Sequence, residues 1–535
     1  MYGINPPKRV FSMKNKIWKI IYSVIFALQV IAEAVTLGAV LRLNMLPNKF
    51  LFPVIALFVL GVLVTGLLLF IPARKKSGLG RRIVACLLAA VIIGLCVFAL
   101  TAVNKLHHTM QSITNTDDWE SPGDTRQVFV RSEDSAQTLE DAASYTFGFV
   151  ENYDVDSTEG AIRDMEQKLG KSIATVSFPT IPEMLAGLYN GDCQAIILNE
   201  GVMAILEEEE GLEDVREHIR VLYDAQVLLE QPQQPEEPEE PETTEPSASV
   251  EVTDPTQPEE EFDVTTTPFI MYVSGLDGEG RKLYRTRSDV NILVVVNPNT
   301  KQVLMVNTPR DSFIPNPAGN GMYDKLAHCS AYGFDHSLTA MSELYDIELD
   351  YYARINFTGF KKLVDAVGGV DVYSEHTYHR GGVQIVKGMN HLDGEGALVF
   401  ARERKYLPGG DKDRGKNQMK IIKAIIQKAT SGTTIITNYP QILDSLGGMF
   451  VTSMSSEDMS ALVKMQLDDM ATWDIKTYAI SGEGGWEYTY SSISLGKKSW
   501  VMYPDEGMIA YGSELIQRVL DGEVLTDEDV VYKAP

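Results

Sequence analysis

The residues with the most chemical potential in this chain are arginines and aspartates gathered in a few short segments. Gly275-Leu276-Asp277 closes one strand-like run, and Arg287-Ser288-Asp289-Val290-Asn291 opens the next. Thr308-Pro309-Arg310-Asp311-Ser312 closes a third. Further along come Ala401-Arg402-Glu403-Arg404, then Gly410-Asp411-Lys412-Asp413-Arg414, then Asn417-Gln418. Strand ends are where α/β proteins place their sites. Arginine forks bind phosphate oxygens through paired hydrogen bonds. Two carboxylates near phosphates suit Mg²⁺, which takes few protein ligands and completes its shell with waters and phosphate oxygens. Phosphoryl transfer needs both parts, to neutralise charge and position metal. Spacing alone leaves a second reading open, in which these residues form surface ion pairs.

Familiar enzyme signatures are absent. The chain has no GxSxG, HExxH or Walker A loop, and no GxGxxG following a strand. The glycines around Gly275, Gly278 and Gly280 do not match a nucleotide fingerprint. His328, three residues after Lys325, is a lone histidine, and the structural reading is favoured for it.

The elements that must position these charges lie in residues 264–535. Strand-like runs occur at Phe269–Gly275, Val290–Val296, Val303–Thr308 and Tyr351–Ile355. Helical patterns occur at Thr358–Val367, Gly394–Phe400, Asn417–Thr430, Ser456–Met470 and Gly512–Leu520. β-branched runs alternating with amphipathic helices predict a three-layer α/β/α sandwich.

The chain has 535 residues and a net charge of −26. That length allows two or three domains. The charge is unevenly distributed. Residues 1–110 carry 13 basic residues and a single acid, Glu33, which leaves a net of −38 on the rest. So acidic a body argues against a nucleic-acid partner, because attraction to phosphates supplies most non-specific affinity. Three apolar runs, at about 17–43, 51–72 and 83–103, are each long enough to cross a bilayer. Lys8, Arg9, Lys14, Lys16 and Lys19 flank the first, and Arg74, Lys75, Lys76, Arg81 and Arg82 lie between the second and third. The positive-inside rule puts both basic segments in the cytoplasm and everything after about residue 105 outside. Glu33, inside the first run, either faces a neighbouring helix or marks a functional site; packing is the favoured reading.

Outside the membrane, residues 105–125 read as a polar connector and 127–230 as a small accessory α/β domain with β-α-β-α-β order. That domain faintly resembles half of a periplasmic-type solute-binding domain, although a structural spacer is favoured. Residues 231–263 are rich in proline and glutamate, with 12 acids and no base, and read as an extended tether. Four cysteines make a disulfide-dense scaffold untenable. A Cys193–Cys329 disulfide is conceivable but disfavoured, and no spacing suggests zinc.

Residues 268–430, and more loosely up to about 520, resemble the LytR–CpsA–Psr family of Gram-positive cell-wall proteins. The resemblance is carried by the segments above in order. It also includes Ser274-Gly275-Leu276-Asp277, Asp324-Lys325-Leu326-Ala327-His328, Ile355-Asn356-Phe357-Thr358-Gly359-Phe360, Asp365-Ala366-Val367-Gly368-Gly369-Val370 and Leu392-Asp393-Gly394. It implies a membrane-anchored, extracellular phosphotransferase. Such an enzyme moves a glycopolymer from an undecaprenyl-pyrophosphate carrier to a peptidoglycan hydroxyl. Asp277 and Asp289 would hold Mg²⁺. Arg287, Arg310, Arg402, Arg404, Arg414 and Gln418 would grip the pyrophosphate. Asp411 would assist deprotonation of the acceptor, with Asp311 as the alternative base. The prenyl tail would lie in an apolar tunnel between sheet and helices. Many members carry arginine before the glutamine; here Asn417 stands there. Two rival functions use the same residues or none of them. One is a lipid-pyrophosphate phosphatase with water as acceptor, and the other a non-catalytic surface receptor or regulator.

Overall fold

The computed structural model describes residues 8–71, 78–114, 124–151, 153–207, 211–212, 214–227, 262–276, 278, 287–319, 321–431 and 446–533. Most of the 231–263 tether, and Asp277 with it, lie outside the described residues.

The chain opens with three long helices, Lys8–Leu43, Asn48–Phe70 and Gly78–Thr114. All three are long and apolar enough to cross a membrane. The third runs past Val103 into the stretch expected to be a connector. Leu106, Met110 and Ile113 recur at helical spacing there, and with Met45 they pack against Val463 and Leu467 of the C-terminal domain. Lys464 Nζ also donates to Asn44 Oδ1 at 2.9 Å, between the first two helices. Glu33 is buried among the helices and accepts from Gln29 Nε2 at 2.8 Å. That contact fits the packing reading.

The accessory domain holds a five-stranded sheet in the order Ala174–Phe178, Thr146–Val150, Ala195–Leu198, Asp124–Arg131, Ile219–Val227. The central three-strand unit and the helices Val155–Leu169 and Ile181–Asn190 follow the sequence pattern. The first and last strands do not. Their charged residues blur the alternation, and each is completed by pairing with the other across the whole domain. The domain shares its core with its neighbour, since Tyr332, Tyr490 and Leu495 join its apolar cluster. Tyr153 OH meets Tyr332 OH at 2.6 Å. Cys193 and Cys329 are free thiols, one on each side of this junction.

The C-terminal domain is an α/β/α sandwich. Its six-stranded sheet runs Phe450–Thr452, Tyr351–Asn356, Phe269–Leu276, Ser288–Asn297, Gln302–Asn307, Asp474–Ala479. Apolar residues on both faces of Ser288–Asn297 explain why it reads as a continuous run rather than an alternation. Leu293 and Val295 pack on Met341, Leu515 and Ile516, which belong to the helices Phe334–Tyr345 and Glu506–Leu520. Ile292 and Val294 pack on Met419 of the helix Asp411–Thr430. Phe357–Ala366 and Gly394–Arg402 complete the second helical layer. Asn356 and Asp393 fix their starts, accepting from Gly359 N at 2.9 Å and Gly396 N at 2.8 Å. The strand Phe269–Leu276 is less buried at Met271, Val273 and Gly275 than at the residues between them. The second helical layer stands off the sheet along that row.

Candidate active site

The gap beneath that row is a cavity of about 880 Å³, in the size range of ligand pockets. Its two ends differ in chemistry. Met271, Val273, Ala353 and Ile355 form an apolar floor on the sheet. Phe360, Leu363, Leu398, Ile421, Ile422 and Ile425 form a roof on the helices, and Phe450 closes that end. At the other end the lining carries seven basic side chains, Arg310, Lys325, Arg380, Arg402, Arg404, Lys405 and Arg414, against two carboxylates, Asp289 and Asp311. Gln418 lies between the two zones.

Local backbone features place these side chains. The pairing of Phe269–Leu276 with Ser288–Asn297 runs Gly275↔Val290 and then Leu276↔Ser288. Asp289 is therefore the unpaired residue of a β-bulge, a device that re-aims a side chain. It lies inside a strand rather than before one. Arg310 and Asp311 follow the next strand in a turn closed by Ser312 N to Pro309 O at 3.1 Å. The Arg310 carbonyl accepts from Ala327 N at 2.9 Å, and the Asp311 carbonyl from Met502 N at 2.8 Å. The turn is thus held by the helix Leu326–Tyr332 and by a late strand, Ser499–Pro504.

Asp411 and Arg414 sit in the first turn of a helix, where the sequence pattern placed them in a preceding loop. The run of charged residues conceals the helix start. Gly410, with φ of +53°, supplies the left-handed residue before it. One turn further, a Cβ at Gly415 would stand 2.6 Å from Asn307 Nδ2, so glycine lets this helix close on the strand end.

The charges interlock. Arg310 Nη1 meets Asp289 Oδ1 at 2.6 Å, and Lys325 Nζ meets Asp311 Oδ1 at 3.2 Å. Arg414 Nη2 meets Asp411 Oδ1 at 2.6 Å. The two central carboxylates consequently differ. Burial opposes the charge on Asp311, but Lys325 and Arg310 outweigh it and hold the carboxyl below its usual range. Burial raises Asp411, the Asp311 charge adds to the rise, and Arg414 only partly offsets it. Glu403, fully buried, accepts from Arg404 N at 2.8 Å, Tyr406 N at 2.9 Å and Arg380 Nη1 at 3.2 Å. It therefore shapes the loop that carries Arg402 and Arg404. The Arg402 guanidinium lies 4.3 Å from the Phe357 ring centre.

Of the residues singled out by sequence, the fold brings Asp289, Arg310, Asp311, Arg402, Arg404, Arg414 and Gln418 to the cavity wall, with Asp411 alongside. Arg287 does not reach that wall; it is buried at the start of its strand. Asn417 is buried one position before Gln418, where its Nδ2 approaches Phe400 O at 3.5 Å. His328 Nδ1 lies 2.9 Å from Asp324 Oδ1, a buried structural pair. Lys325, Arg380, Lys405 and Trp500 line the cavity without having been singled out. Lys325 was visible in the Asp324-Lys325 motif, whereas Arg380, Lys405 and Trp500 carry no local signal.

The LytR_cpsA_psr family model matches residues 241–504. A TagU of Enterococcus faecalis, described as a polyisoprenyl-teichoic acid–peptidoglycan teichoic acid transferase, is 34% identical over 220 residues. The match covers 41% of this chain and 71% of that relative. The chain belongs to the LytR–CpsA–Psr family. A TagU of Oceanobacillus iheyensis is 32% identical over 221 residues, 39% of this chain and 68% of the relative. The solved structure of TagT bound to LIIa-WTA shares 26% identity over 49% of this chain and 94% of its own, with a TM-score of 0.40. Bacillus subtilis TagV shares 25% over 48% and 98%, with a TM-score of 0.41. The family match contains the whole cavity wall, from Met271 to Trp500. The three long apolar helices and the accessory domain precede it.

Proposed function

We propose that this LytR–CpsA–Psr protein transfers a glycopolymer from an undecaprenyl-pyrophosphate carrier to a peptidoglycan hydroxyl, leaving a phosphodiester. Family membership and the names of the relatives fit glycopolymer transfer to peptidoglycan. One observation carries the finer reading: a single cavity joins an apolar trough to a ring of arginines. A prenyl chain needs the first and a pyrophosphate the second. Arg310, Arg402, Arg404 and Arg414 would hold the pyrophosphate, with Lys325 adding a point charge.

The acceptor hydroxyl attacks the phosphorus nearest the glycan. A new O–P bond forms, the bridging P–O bond breaks, and undecaprenyl phosphate leaves with the electron pair. Asp411 suits the base, because a carboxylate destabilised by burial accepts a proton more readily than an ordinary one. Asp311, neutralised by Lys325 and Arg310, suits positioning instead. Replacing Asp411 by asparagine is expected to lower the transfer rate about a hundredfold or more. In the native protein the rate should fall as pH drops through a value above the ordinary carboxyl value of about 4. That acid limb should be lost in the variant; its persistence would move the role to Asp311.

A magnesium ion belongs to the same proposal, since it takes few protein ligands and completes its shell with waters and phosphate oxygens. Asp289 presents a carboxylate on the cavity wall among the basic side chains. Asp289 and Asp277 would hold the ion, which would neutralise charge on the phosphates. Asp289→Ala should reduce transfer about a hundredfold and make the residual rate insensitive to chelator. A chelator-sensitive variant at native rate would refute the assignment.

The topology follows the same proposal. Asn44 and Met45, between the first two helices, and Leu106–Ile113 of the third all contact the C-terminal domain. Arg81 and Arg82, in the first turns of the third helix, stand at its other end, which supports a cytoplasmic N-terminus and an extracellular catalytic domain. To test the function, the full-length protein in detergent is given a synthetic polyprenyl-pyrophosphate glycan, peptidoglycan oligomers and Mg²⁺. Mass spectrometry should show a glycan–phosphate–peptidoglycan adduct. Glycan phosphate alone would mean that water is the acceptor.

A further inference from the structure

A hairpin of Gly482–Glu487 and Ser499–Pro504 stands at the phosphate end of the cavity. Its register sets Trp486 directly opposite Trp500. Residues directly opposite in an antiparallel pair share a face, and these two are 63% and 40% exposed. Gly484, on the same face, leaves room for the Trp500 indole, since a Cβ there would come within 2.7 Å of that ring. Glycine weakens a strand, and it recurs where something must approach the backbone closely. Together the two indoles, that of Trp500 lying over Gly484, make an exposed aromatic plate on one face of the hairpin.

The plate is rigidly tied to the reaction centre. Trp500 itself lines the cavity. Its neighbour but one, Met502, donates to the Asp311 carbonyl at 2.8 Å. Ser491, in the loop joining the two strands, donates from its backbone to Asp324 Oδ2 at 3.0 Å, and Asp324 immediately precedes Lys325. Ser492 and Thr489 close that loop with a reciprocal capping box. On the opposite face Tyr503 packs edge-on against Phe313, with ring centres 5.8 Å apart. Polar groups border the plate: Lys498 Nζ donates to Trp486 O at 3.3 Å and stands over the Tyr488 ring.

We propose that Trp486 and Trp500 form a binding platform for the glycan strand of peptidoglycan, stacking on the apolar faces of its sugar rings. This deepens the transferase reading and rests on it for the identity of the glycan. The donor's lipid and pyrophosphate match the interior of the cavity. The acceptor is a chain of sugars that must lie outside while one hydroxyl reaches in. The plate continues outward from the place where the phosphate grip ends. A lipid-facing role fits the location poorly. The membrane helices dock at Phe450, the apolar end of the cavity, whereas the hairpin is attached at Asp311.

The test uses the full-length protein in detergent and a defined muropeptide tetrasaccharide, with binding read by calorimetry. Trp486→Ala should bind the tetrasaccharide about tenfold more weakly. It should bind a polyprenyl-pyrophosphate disaccharide with native affinity, because Trp486 lies outside the cavity. Trp486→Tyr should recover most of the loss, and the melting temperatures should match the native one. In transfer assays the acceptor KM should rise while kcat and the donor KM stay constant. Unchanged tetrasaccharide binding in Trp486→Ala would overturn the proposal. So would an equal loss of donor affinity, or a loss of binding to anionic phospholipid vesicles in place of the glycan. Because binding is measured without turnover, failure of the transferase reading would appear separately, as intact glycan binding with no adduct.

Discussion

Alanine at Arg310 is expected to reduce glycopolymer transfer by about a thousandfold, the scale seen when an arginine that stabilises a phosphoryl transition state is removed. Arg310 stands between two carboxylates, 2.6 Å from Asp289 Oδ1 and with its Nε 3.8 Å from Asp311 Oδ1. It is therefore held in place before substrate arrives, and it costs little reorganisation in the reaction. Its loss also removes the contact that holds the Asp289 side chain in place, at 2.6 Å from Arg310 Nη1. Arg310→Lys separates the two effects. It keeps the charge but not the fork, so it should restore folding and substrate affinity more than rate. Single-turnover kinetics with a labelled lipid-pyrophosphate donor would show this. Native rates in Arg310→Lys would mean that charge alone suffices.

The second large effect concerns the trough. Ile425 lines it from the helix Asp411–Thr430 and is only half-buried. Tryptophan there would fill space rather than disturb a packed core. Ile425→Trp is expected to raise KM about a hundredfold or more for a full-length prenyl donor, because each buried methylene contributes about 0.8 kcal/mol and the substitution would displace more than one five-carbon isoprene unit. A donor with a short prenyl chain should be used as well as by the native protein. Equal losses on both donors would show that the substitution harms the phosphate end, and no loss on either would place the lipid elsewhere.

Phe450 links that trough to the three-helix bundle. It lines the cavity and also packs against the cluster formed by Met45, Leu106, Met110 and Ile113 with Val463 and Leu467. The end of the bundle that carries Met45 and Ile113 therefore lies against the apolar end of the cavity. In the proposed topology, a carrier lipid could pass from the bilayer to the trough without a long exposure of its tail to water, which is costly at about 25 cal/mol for each Å².

Much of this protein is legible in local sequence. Three runs of apolar residues specify three helices long and apolar enough to cross a bilayer, because length and hydropathy act without tertiary help. Alternating β-branched and amphipathic segments specify the sandwich, since every face must be buried against another layer. Asp289, Arg310, Asp311, Arg402, Arg404, Asp411 and Arg414 stand out in the sequence as a group, but spacing alone allows surface ion pairs as well as phosphate binding, and the family resemblance is what favours the second. Tertiary structure alone decides the rest. Asp311 and Asp411 are the same residue type and both are buried, and only their charged neighbours give them opposite shifts: Lys325 and Arg310 outweigh burial at the first, whereas Arg414 does not at the second, which also feels the Asp311 charge. The trough exists because helices from three separate segments stop short of one row of a strand, a distance that no local pattern encodes. Arg287 looks equivalent to Arg310 in sequence, yet it is buried away from the cavity wall, because side-chain direction depends on pairing and bulges formed across the sheet. Trp500 reaches the site from about 190 positions after Arg310, brought there by the contact between Met502 and Asp311.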